Sequence, residues 1–105
     1  MSDDIKLTHT AALVLTMIRA GCRYGFDIME ATGLPSGTVY PALRRLERDA
    51  LIASKWEQQS IADAEQRPPR KYYRVSRIGR ATLEAAWKRY PLLERMLPTP
   101  EVERA

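Results

Sequence analysis

The chain has 105 residues, 45% hydrophobic and 29% charged, which is one domain's worth of sequence with a globular balance. Cys22 and His9 are the only residues of their kinds, which excludes an internal disulfide and a structural zinc site, and neither a metal nor a cofactor is expected. The formal charge of +4 is unevenly placed: residues 35–80 carry ten cationic side chains against five acidic ones, the distribution a nucleic-acid face needs.

A first helix is expected to begin at Thr8 or Thr10, either of which can cap free amides with its hydroxyl. Ala11, Val14, Leu15 and Ile18 form one face, and Leu13 and Met17 lie off it. A helix apolar nearly all round must be buried on more than one side, and the second covering surface is expected to be another subunit. The apolar run 11–18 is too short to span a bilayer. Ser2, Asp3 and Asp4 stand where a basic leader segment would be, so a cytoplasmic protein with no membrane partner is expected.

Gly21 ends the first helix, and a second fits residues 24–32 with Ile28 and Ala31 inward. Gly33 then suits the left-handed position past a helix end, and Pro35 suits the start of the next helix. Over residues 36–49 a third helix aligns Val39, Ala42, Leu43 and Leu46 on one face. Its opposite side presents Thr38, Tyr40, Arg44, Arg45 and Arg48, with Pro41 inside the helix. Two helices joined by a three-residue glycine turn, the second rich in arginine, make a helix-turn-helix.

Strands are expected at 51–58 and 71–75, carrying Ile52, Trp56, Tyr72, Tyr73 and Val75. The polar stretch 59–70 between them is too long for a tight turn and is expected to be a mobile hairpin tip. Ser76 caps a last helix bearing Leu83, Ala86, Trp87 and Tyr90, which Pro91 should kink or interrupt before Leu92, Leu93, Met96 and Leu97. Pro98-Thr99-Pro100 ends regular structure. The fold class is therefore mainly α with a two-stranded β wing: a winged helix-turn-helix over 1–75, then a last helix and tail over 76–105.

The segments Tyr24-Gly25-Phe26-Asp27-Ile28, Thr32-Gly33-Leu34 and Arg70-Lys71-Tyr72-Tyr73-Arg74-Val75-Ser76 flank a longer motif that runs from Ser36 through Gly37-Thr38-Val39-Tyr40-Pro41-Ala42-Leu43-Arg44-Arg45-Leu46 to Glu47. With Gly79-Arg80 they resemble the PadR family of transcriptional regulators over about residues 8–90. The resemblance implies a winged-helix repressor that is dimeric through its first and last helices, binds operators of two-fold symmetry and is often released by a small molecule. Where the family commonly has Gly-Arg-Pro before the second strand, this chain has Gln66-Arg67-Pro68, and it stops after one helix and a short tail, as in the compact subfamily.

Duplex DNA is thus the expected partner, with Ser36, Thr38, Tyr40, Arg44, Arg45, Arg48, Arg67, Arg70 and Lys71 as candidate contacts. Each has a plainer role beside that one. Ser36 can be a cap, Tyr40 can pack on a neighbour, and the cations can be solvated or paired with carboxylates. Leu13, Met17, Leu83, Trp87, Tyr90 and Leu93 are the expected homodimer interface. Trp87 is where the resemblance would put a small aromatic effector, although a helical aromatic is more often core or subunit contact. Cys22 fits a small half-buried residue better than a redox sensor. No nucleophile–base pair or phosphate-cradling loop is present, so no enzyme is expected. The alternative function is a winged-helix module that binds another protein and has no operator of its own.

Overall fold

The computed structural model describes residues 6–97. The Thr8 hydroxyl accepts from the Ala11 N–H at 3.1 Å and starts helix α1, His9–Arg19. Ala12, Val14, Leu15, Met17 and Ile18 are all buried in it, because α2 (Gly25–Thr32), α3 (Ser36–Arg48), α5 (Arg77–Trp87), α6 (Pro91–Glu94) and the strand β2 (Lys71–Val75) pack around it. One chain therefore covers most of this helix, while Ala11 and Leu13 are only half-buried. Inside this bundle the Thr16 hydroxyl donates to the Ala12 carbonyl at 2.7 Å and accepts from the Trp87 indole at 3.2 Å. Both polar groups are thereby satisfied in the core, as burial demands.

Helix α2 starts one residue later than expected and closes on Gly33, at φ 76°. Ile28 is buried, but Ala31 is exposed and Met29 packs on the core instead: the inward stripe of this short helix runs through Gly25, Ile28 and Met29. Pro35 is extended and precedes α3 rather than lying in it, and Ser36 makes no side-chain capping bond. Val39, Ala42, Leu43 and Leu46 are the buried residues of α3, as its spacing predicts.

Ala50, at φ 63°, turns the chain into β1, Ile52–Trp56. It pairs antiparallel with β2, from Ile52 opposite Val75 to Trp56 opposite Lys71. The connection, expected to be a mobile hairpin tip, is not without regular structure. It holds a short helix α4, Gln59–Ala64, anchored by the buried Ala62. Ser76 caps α5 through the Gly79 N–H at 2.9 Å, and Pro91 divides the C-terminal segment by opening α6 as its first residue. Leu83, Ala86, Trp87 and Leu93 join Val14, Leu15 and Leu43 in one core, so residues on both sides of position 75 share it. The expected stop at Pro98-Thr99-Pro100 lies outside the described residues. Among the described residues no helix is long and apolar enough to cross a membrane.

The base of the wing is closed by contact with backbone. The Leu51 carbonyl accepts from Ser76 N–H at 2.9 Å, and the Ser76 hydroxyl donates to the Ala50 carbonyl at 2.7 Å. A methyl on Gly79 would overlap that same Leu51 carbonyl. Gly79→Ala should therefore cost about 2 kcal/mol or more, read as a lower urea midpoint. Gly37→Ala, with nothing within 4 Å of the added carbon, should show no such loss.

Candidate nucleic-acid interface

Burial of one side of α3 leaves the other side to solvent. Ser36, Gly37, Tyr40, Arg44, Arg45 and Arg48 are exposed there, and Thr38 is half-buried. Among the described residues Arg44 and Arg45 have no carboxylate within ion-pair reach, whereas Arg48 meets Asp49 at 3.2 Å. Tyr40 lies with its ring against Gly25 and remains 39% exposed.

The wing is organised by Glu57, whose side chain is only 5% exposed. Its carboxylate accepts two bonds from the Arg67 guanidinium, at 2.6 and 3.0 Å, one from the Arg70 N–H at 3.2 Å and one from the Tyr72 hydroxyl at 3.2 Å. The Arg67 bond above all holds Glu57 down at about 2, and Glu57 in turn raises Arg67. Arg67 is thus committed within the wing. Gln66 takes φ 58°, so the left-handed turn is made here without glycine.

Two other wing cations, Arg70 and Lys71, are half-buried against aromatic rings. The Arg70 guanidinium stacks 4.2 Å over the Tyr24 ring. Lys71 lies 5.8 Å from the Trp56 ring and 3.5 Å from Glu47, a carboxylate that the Ser54 hydroxyl holds below its ordinary range. Between α3 and the wing runs an open cleft of about 490 Å³, walled by Tyr24, Phe26, Tyr40, Trp56, Arg70 and Lys71. Tyr24, Trp56 and Glu57 were not among the expected site residues. Tyr24 begins one of the resembling motifs, but Glu57 and Arg67 are ten residues apart and no local periodicity joins them.

The expected subunit interface is largely core. Met17, Leu83, Trp87 and Leu93 are buried by the chain itself, while Leu13 and Tyr90 are half-buried. Among the described residues of the C-terminal end, Leu92 and Met96 are exposed apolar side chains, at 70% and 44%. Trp87, the expected effector residue, is 8% exposed and bonded to Thr16, and it lines a surface hollow with Glu84, Lys88 and Glu94. The Cys22 thiol is pushed up by burial and then by Asp27, opposite to the shift that makes a thiol reactive.

Residues 14–85 match the model of the Transcriptional regulator PadR-like family. Among solved structures, a PadR family transcriptional regulator from Eggerthella lenta is similar, at 28% identity and a TM-score of 0.63, over 81% of this chain and 74% of that one. A PadR family regulator from Clostridium difficile has the same fold, with a TM-score of 0.69 and 24% identity over 84% and 93% of the two chains. So does BpsR of Bordetella bronchiseptica, whose DNA binding is regulated by 6-hydroxynicotinic acid: TM-score 0.66, 22% identity, over 88% and 61%.

Glu57 makes the wing acid-sensitive in a defined direction. A carboxylate depressed to about 2 contributes stability that is present above its ordinary value of 4.5 and lost as pH falls from there. Glu57→Gln should therefore lower the melting temperature at pH 7. The gap to wild type should narrow progressively below pH 4.5, as circular dichroism melts at stepped pH can record.

Proposed function

The chain belongs to the PadR-like family of transcriptional regulators, and from that premise we propose that it is a sequence-specific repressor that binds duplex DNA as a homodimer. The observation that carries this reading is α3, with its aliphatic stripe sealed in the core and Tyr40, Arg44 and Arg45 exposed on the other side. In a helix-turn-helix the leading end of this helix enters the major groove. Thr38 and Tyr40 would then read base edges, while Ser36, Arg44, Arg45 and Arg48 hold phosphates that set register. Arg70 and Lys71 would meet the backbone beside the wing, and the strand between the two grooves would cross the aromatic cleft. Arg67, closed on Glu57, supports the wing from within.

Dimerisation is supported by the exposed Leu92 and Met96 beside half-buried Tyr90, with two half-sites about 34 Å apart or a multiple of it. Such a dimer acts in the cytoplasm by occupying an operator of two-fold symmetry. Release by a small aromatic effector completes the proposal. Its support is the fold shared with the Bordetella protein and a hollow of about 350 Å³ lined by Glu84, Trp87, Lys88 and Glu94.

Affinity for a duplex selected from a random-sequence pool should fall steeply as salt rises. Arg44→Ala should weaken all sequences alike and reduce the salt slope by about one per protomer. Weak, sequence-indifferent binding at physiological salt would replace this reading with that of a protein-binding module. Sedimentation at micromolar concentration should give a dimer, and Leu92→Glu should shift it toward monomer, since a charge buried without a partner is costly. A wild-type monomer would remove the two-fold operator.

A further inference from the structure

Recognition helix and wing are separate in sequence, yet three successive residues touch both. The Arg23 carbonyl accepts from the Tyr73 N–H of β2 at 2.8 Å. The Tyr24 ring meets the Tyr72 ring edge to face at 5.7 Å and lies under the Arg70 guanidinium. Gly25, buried at the first position of α2, faces the Tyr40 ring of α3. A carbon added to Gly25 would lie 2.5 Å from Cε1, Cζ and Oη of Tyr40, and these are its three nearest heavy atoms.

Those nearest neighbours identify what the glycine serves. The obstructed atoms are the far end of a flexible, part-exposed side chain, not backbone as at Gly79. A methyl at position 25 can therefore be accommodated by swinging the Tyr40 ring outward, and alanine is the better helix former. The fold loses little by that movement, whereas the direction of the Tyr40 hydroxyl changes.

We propose that Gly25 is a positioning residue for DNA recognition: its bare backbone seats the Tyr40 ring and fixes that side chain at a set offset from the wing, which Arg23 and Tyr24 hold. Base readout tolerates little misplacement, because a bidentate or close edge contact is lost over a fraction of its length. The inference rests on the assignment of Tyr40 to DNA made above, and the experiment separates the two.

Gly25→Ala, Tyr40→Ala and the double variant are compared with wild type by fluorescence anisotropy on the wild-type-selected duplex and its single-base variants, alongside thermal melts. Gly25→Ala should melt close to wild type, yet bind the selected duplex about tenfold more weakly and discriminate less among the variants. In the Tyr40→Ala background, where the methyl has room, Gly25→Ala should change neither affinity nor preference further. If Tyr40→Ala weakens binding but Gly25→Ala does not, the positioning role alone is overturned. Equal losses from Gly25→Ala with and without Tyr40 also overturn it, as does failure of the double variant to recover folding should the single variant unfold. If Tyr40→Ala leaves binding intact, the assignment of Tyr40 falls and the role of Gly25 with it.

Discussion

The aliphatic stripe of α3 is the constraint from which the outer face follows. Val39, Ala42, Leu43 and Leu46 are all 2% exposed or less. Burial of each of the larger side chains is worth about 1.5–3 kcal/mol, so the helix has one strongly preferred rotation about its axis. A shift of one residue, about 100° of rotation, would carry Arg44 or Tyr40 into the core and bring a stripe residue into water. Tyr40, Arg44 and Arg45 thus face outward because their neighbours face inward.

The wing needs a different kind of support. A two-stranded hairpin is marginal by itself in water, and this one has five paired positions. It is fastened at three levels. At the base, Leu51, Ser76 and Gly79 close backbone on backbone. At mid-height, Tyr73 bonds Arg23 in the loop before α2. At the tip, Glu57 gathers Arg67, Arg70 and Tyr72. The tip bonds explain why a polar connection folds instead of trailing: a nearly buried carboxylate must have its acceptor sites filled, and the residues that fill them lie across the loop.

What could be read from the sequence was local or periodic. Thr8, Ser76 and Gly33 are caps whose chemistry is complete within a few residues, and the stripe of α3 repeats at helical spacing. The pieces that escaped are those settled by tertiary contact. Helix α4 is six residues long with a single buried side chain, too little pattern to stand out against a polar loop. Met17, Leu83, Trp87 and Leu93 were legible as apolar faces, but periodicity does not say whether a face is covered by the same chain or by a partner. Glu57 and Arg67 are both ordinary charged residues until the hairpin brings them to 2.6 Å. The seat of Tyr40 on Gly25 joins two helices across a turn, and only geometry displays it.

The ion pairs also sort the cations of the interface by how readily each can change partner. Lys71 with Glu47 and Arg48 with Asp49 are partly or well exposed, and exposed pairs contribute little, about 0–1 kcal/mol. Giving up such a carboxylate therefore costs little, and under the proposed function both side chains can exchange it for a phosphate. Arg67 is in another position. Its guanidinium makes two parallel bonds to a carboxylate with 5% exposure, and leaving would strand Glu57 away from water with its charge uncompensated. The same residue type, a few positions from Arg70, is thereby held to the protein by charge, while half-buried Arg70 rests on the face of Tyr24, its guanidinium with no carboxylate partner among the described residues.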